Sequence, residues 1–90
     1  MPNVLTFMGY HIYFWANENG EPVHVHIAKG KPTANATKVW ITSSGDTVLE
    51  HNKSKIPSSD LKKVLSYVRA NVRDITGLWC QMFGVITYKY

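Results

Sequence analysis

Two histidines one residue apart, His24 and His26, are the side chains of this sequence best placed to do chemistry. They sit in Val23-His-Val-His-Ile27, whose strict apolar–polar alternation predicts a half-buried strand. Residues two apart on a strand share a face, so both imidazoles project together and the valines and Ile27 project the other way. Imidazole titrates near neutral pH, binds metals through either nitrogen, and can act as a general acid or base. The pair alone gives two ligand atoms where zinc takes three or four from protein. His11 is the third donor on offer, and no carboxylate has an evident place beside them. A resident metal or other cofactor is therefore not expected.

The strand before the histidines positions them. Tyr10-His-Ile-Tyr-Phe-Trp15 is dense in aromatic and β-branched residues, which favour a pleated surface. Pairing it with 23–27 as a hairpin puts Val25 and Ile27 with Ile12 and Phe14 on the core face. The same parity puts His24 and His26 beside Tyr13 and Trp15 on the opposite face, at least partly accessible, because a one-residue slip would bury both rings in the core. The candidate binding face is thus His24, His26, His11, Tyr13 and Trp15. Four uses compete for it: cross-strand aromatic–imidazole contacts with no ligand, a stacking platform for nucleic-acid bases, a metal site, and acid–base cleavage of RNA by the two histidines.

Further strands are predicted at Val4–Phe7, turning at Met8-Gly9, at Thr37–Thr42, and at Thr47–Leu49, which returns after the Ser43–Asp46 turn. Asn17–Pro22 and Lys29–Pro32 read as polar loops, and Asn52 as a turn residue. From Ser58 to Phe83 the apolar residues Leu61, Val64, Leu65, Val68, Val72, Ile75, Trp79, Met82 and Phe83 fall on a stripe about 100° wide, the signature of one long helix lying on a sheet. Ser58 or Ser59 offers its N-cap and Gly84 its stop. Val85–Tyr88 reads as a short final strand. The expected fold class is α+β: a small antiparallel sheet of four or five strands, one long C-terminal helix on one face, and the final strand, as a single domain over residues 1–90.

Composition narrows function by class. The 90 residues are 44% apolar, a globular share, and only 18% charged. A single cysteine, Cys80, excludes a disulfide framework or a cysteine-built zinc site within the chain. No signal peptide or membrane span is visible, so a cytoplasmic protein without membrane contact is expected. The net charge of +4 is unevenly held. Residues 1–52 carry three cations and four anions, whereas residues 53–90 carry seven cations and two anions. On the helix, Lys62, Arg69 and Arg73 form a row at the edge of the apolar stripe, with Lys53 and Lys55 just before it. Such a row suits a phosphate backbone, and it equally suits a solvated helix flank.

These residues carry a resemblance. The start Met-Pro-x-Val-Leu, then Gly9-Tyr10, Phe14-Trp15, Asn17-Glu18, Pro22-Val-His-Val-His26, Lys38-Val-Trp-Ile41, Asn52-Lys-Ser-Lys-Ile-Pro57, Leu61-Lys-Lys63 and Trp79-x-x-x-Phe83-Gly84 resemble the domain-of-unknown-function family numbered 4160 along essentially the whole chain. The resemblance implies a small bacterial protein with no established reaction or catalytic residues, often encoded beside a small antitoxin-like protein. Its His-x-His strand corresponds to His24 and His26. Relatives often carry several acidic residues late in the helix, where this chain has Asn71-Val-Arg-Asp-Ile-Thr-Gly77. The expected function is an interaction module of a toxin–antitoxin-like or regulatory pair, binding a small protein partner, RNA or DNA, with self-association also open. The alternative is a small His-dependent enzyme or metal-binding protein acting on RNA.

Overall fold

A computed structural model describes residues 3–18, 20–31 and 33–90. The Met-Pro start of the family resemblance, Asn19 of the first polar loop and Pro32 of the second lie outside the described residues. Five strands, β1 (Asn3–Phe7), β2 (Tyr10–Tyr13), β3 (His24–Lys29), β4 (Thr37–Ile41) and β5 (Thr47–His51), form one sheet in chain order. Each pairs antiparallel with the next. Met8 and Gly9 both take positive φ, 54° and 81°, which gives the tight β1–β2 connection a twist that matches its strands. No helix among the described residues is long and apolar enough to cross a membrane.

The α+β class and the antiparallel sheet are as expected, but the single helix is not. The helical segment is two helices, α1 (Ser58–Ala70) and α2 (Val72–Phe83). Asn71 separates them at φ −117°, ψ 20°. Its side-chain Nδ2 donates to the Tyr67 carbonyl at 2.9 Å, and its backbone N–H turns to Val68 instead, at 3.1 Å. The side chain thus takes the acceptor that a continuous helix would reserve for the Asn71 N–H. The N-cap also differs. Pro57 is the capping residue, no side chain bonds there, and Ser58 and Ser59 already belong to the first turn. Gly84 ends α2 in the left-handed region at φ 76°, with its N–H on the Cys80 carbonyl, the expected stop.

The parity argument for the core face holds. Ile12, Phe14, Val25, Ile27, Val39 and Ile41 are buried with Val64, Val68, Ile75 and Trp79 of the helices. Leu61, Leu65, Val72 and Phe83 pack half-buried around them, while Met82, counted in the stripe, is 44% exposed. Tyr10 ties the layers together, its hydroxyl donating to Asp60 Oδ2 at 2.9 Å in the first turn of α1. The segment before α1 is latched to the sheet by polar contacts. Buried Thr37 donates to Asn52 Oδ1, Ser54 Oγ lies 2.5 Å from the same Thr37 hydroxyl, and Asn52 bonds both the N–H and the C=O of Ile56. Asn52 is therefore the hub of a clamp as well as a turn residue.

The expected strand at Val85–Tyr88 is not among the strands of the sheet. That segment instead closes the end of the sheet with single contacts: Val23 N–H donates to the Thr87 carbonyl at 2.9 Å, and Ser43 N–H to the Tyr90 carbonyl at 3.1 Å.

Candidate functional site

The second face of the sheet is not an open aromatic platform. The β3–β4 loop folds over it. Ala36 packs on Tyr13 and Ala28, and the Tyr13 hydroxyl and Thr33 backbone face each other at 3.3 Å. Tyr13 consequently has no exposed surface, and Trp15 is half-buried edge-on against it, ring centroids 5.3 Å apart. The expectation that both imidazoles are accessible fails for His24, which is 0% exposed. Its ring lies 5.5 Å from Trp40 and 5.3 Å from Trp79, so α2 reaches the first residue of β3 and covers it. His26 does lie beside Tyr13, its cross-strand partner, and keeps 14% of its side chain exposed.

The decisive partner of the histidines is a residue that the sequence argument did not place, Glu18. The β2–β3 connection is too long for a tight hairpin turn and folds back on the sheet. Its first turn is held by Glu18 N–H on the Trp15 carbonyl and by Trp15 N–H on Glu18 Oε1 at 2.6 Å. This fixes the carboxyl group with Oε2 aimed at both imidazoles: His24 Nε2 lies 2.6 Å away and His26 Nε2 2.8 Å. The other nitrogen of His24 contacts the Pro22 carbonyl oxygen at 2.9 Å. Burial opposes ionisation of Glu18, but the hydrogen bonds from His24, His26 and the Trp15 N–H outweigh it and hold the carboxyl well below the usual carboxylate range.

Glu18, His24 and His26 are the one group of three potential ligands that converges among the described residues, each offering an atom within 4.8 Å of the others. His11, the third donor expected from the sequence, is not among them. It is half-buried and pairs with Thr6 and Ala28. The signal for Glu18 was present in part, as the only carboxylates of the loop joining the two strands are Glu18 and Glu21. Which of them turns inward is decided by the Trp15–Glu18 turn.

A second feature is electropositive. Lys53, Lys55, Lys62, Lys63, Arg69 and Arg73 are all exposed, and none lies within ion-pair distance of a carboxylate among the described residues. Lys62, Lys63, Ser66 and Arg69 fall on the face of α1 opposite buried Val64 and Val68. Arg69 donates to Thr47 Oγ1 at 3.1 Å, and Arg73 borders a groove with Thr42–Gly45, so both lie toward the β4–β5 hairpin. On the other flank, Phe7 and Tyr67 stack at 4.3 Å with planes 9° apart and line a shallow groove with Lys63, Ser66 and Ala70. Lys63, Phe7 and Tyr67 were not singled out from the sequence.

The family model for the domain of unknown function DUF4160 matches residues 9–79, most of the chain, and the protein belongs to that family. No curated protein and no solved structure matches it.

Proposed function

We propose that this protein is a small cytoplasmic module that binds single-stranded nucleic acid, RNA first, through the exposed face of α1 and the groove beside it. One observation carries the reading: six exposed cations between residues 53 and 73 have no carboxylate within ion-pair distance among the described residues, and a stacked aromatic pair borders α1. Cations on a solvated face answer the phosphates, and a half-exposed ring such as Tyr67 offers a base something to stack on. The residues that act are Lys62, Lys63, Arg69 and Arg73, with Tyr67 and Phe7 as the stacking element and Lys53 and Lys55 extending the positive field. The function fits one member of a bacterial pair of the toxin–antitoxin kind, whose other member would be a small protein. The family resemblance supports that setting.

The test is fluorescence anisotropy with a short labelled RNA across a salt series. Wild type should bind, with log affinity falling linearly against log salt. Lys63→Ala and Arg69→Ala should each reduce the slope by about 0.7, the single-strand value per phosphate contact. Tyr67→Ala should weaken binding about 5–150-fold, the equivalent of losing one base stack, while leaving the slope alone. Affinity that is flat in salt, or unchanged in all three variants, refutes the reading. The His–Glu cluster favours a second reading, a metal-binding protein.

A further inference from the structure

We propose that Glu18, His24 and His26 form a binding site for one divalent transition-metal ion of the zinc class. The argument starts from hydrogen-bond accounting. The Pro22 carbonyl oxygen can only accept, so the His24 nitrogen facing it at 2.9 Å, Nδ1, carries a proton. A neutral His24 then presents the Nε2 lone pair to Glu18 Oε2, 2.6 Å away. Two lone pairs at that distance repel. The two atoms therefore share a proton, and a metal ion bound to both would take that proton's place.

The surroundings are built for the metal. Metal-bound histidines characteristically donate their other ring N–H to a backbone carbonyl, which fixes the ring and its tautomer, and His24 does so to Pro22. Ligating carboxylates are themselves held by hydrogen bonds, and Glu18 Oε1 takes the Trp15 N–H, which leaves Oε2 for the site. His26 is steadied by the Tyr13 ring, centroids 5.5 Å apart, and by the edge of His24 at 5.0 Å. The two imidazole nitrogens and one carboxylate oxygen match the ligand set of a three-ligand zinc site, and two imidazoles with one carboxylate also suit other late first-row ions. Ligands at about 2.0–2.2 Å from zinc stand about 3.3 Å apart at tetrahedral angles. The Glu18 oxygen, now 2.6 and 2.8 Å from the two nitrogens, therefore needs to retreat by roughly 0.5–0.7 Å, and the imidazole nitrogens to settle at the same spacing, on binding the ion. His24 is sealed in, whereas Glu18 and His26 keep 10% and 14% of their side chains exposed. The ion would enter from that side, and solvent would complete its coordination.

The site is independent of the cationic face of α1, so RNA binding and metal binding can fail separately. The experiment uses full-length, untagged, chelator-treated protein titrated with Zn²⁺ by calorimetry and with Co²⁺ by visible absorption. One equivalent should bind per chain at micromolar concentration or below, and Co²⁺ should give the d–d bands of four- or five-coordination. The melting temperature should rise with Zn²⁺ and fall again with chelator. Glu18→Gln and His26→Gln should lose at least 100-fold in affinity, and His11→Gln should lose nothing. Should either site variant fail to fold, histidine ¹⁵N resonances of wild type decide instead: Zn²⁺ should shift Nε2 of His24 and His26 and leave His11 and His51 in place. Absence of stoichiometric binding by wild type, affinity unchanged in folded Glu18→Gln and His26→Gln, or shifts confined to other histidines would overturn the proposal.

Discussion

Thr37 has no exposed surface, yet it is polar and stands in a central strand. It is tolerated because its hydroxyl is shared with Asn52 and Ser54, and those two hold the segment that launches α1. Asn52→Ala removes the acceptor of both Thr37 and the Ile56 N–H and should destabilise the protein by about 2–3 kcal/mol in denaturant titrations, more than a turn substitution costs. Tyr10 offers a pH test of the same kind. Burial, then the hydrogen bond to Asp60, raises its pKa above the ordinary 10.0. A group whose folded pKa is raised stabilises the fold below its unfolded pKa and loses that contribution as pH climbs through the folded value. Tyr10→Phe should therefore cost about 1–2 kcal/mol at pH 7, and the gap from wild type should shrink above about pH 10. A gap that stays constant from pH 8 to 11 would show that folding leaves the Tyr10 pKa unraised.

At the scale of elements, alternation and helical period carried the strands, their order and the buried face of the helices. Two things were hidden, each for a local reason. The apolar stripe runs unbroken through Asn71, because a break of one residue leaves the buried positions of both halves facing the sheet; only the competition of the Asn71 side chain for the Tyr67 carbonyl reveals the joint. Glu18 was hidden because strand parity describes only residues in strands, and the carboxylate arrives from a folded loop. The exposure of His24 was overturned by α2: parity could set the ring on a face but could not leave it uncovered once Trp79 came across it. Asn71→Leu should let the two helices fuse and swing α2 from its seat. The expected result is a gain in helical circular dichroism with a loss of at least about 1 kcal/mol, because Trp79 and Phe83 lose their packing on Phe14. A variant that gains helix at unchanged stability would show that the joint does not aim α2. Val68→Asp, which puts a charge where no surface is exposed, should cost about 3 kcal/mol or more by the same measurement.

Across the whole molecule, charge is separated from core. The imidazoles and Glu18 lie toward the end of the sheet that receives Trp79, while six exposed cations lie in the loop before α1, along its outer face and at the start of α2. Six cations without an ion-pair partner among the described residues repel one another, and mobile salt screens that repulsion within about 10 Å at 0.1 M. The melting temperature should thus rise by a few degrees between about 20 and 200 mM salt, and rise further with a short polyanion that binds only the folded state. A melting temperature that falls with salt would mean that attractive ion pairs dominate.

The closure of the sheet by the residues around Thr87 has a consequence in time. Every strand pair joins neighbours in the chain, and such local contacts form early and quickly. The bond from Val23 to Thr87 spans most of the sequence, so it carries the largest loop-closure entropy of any main-chain contact described and must form late. Val23 immediately precedes His24, so the start of β3 at the histidine cluster is expected to be pinned late. Hydrogen exchange should find its amides opening well below the global unfolding free energy, while those of Val39 and Val64 open only with the whole molecule. The residues best suited to hold an ion thus sit at the seam where the chain fastens shut, and an ion bound there would act as the clasp.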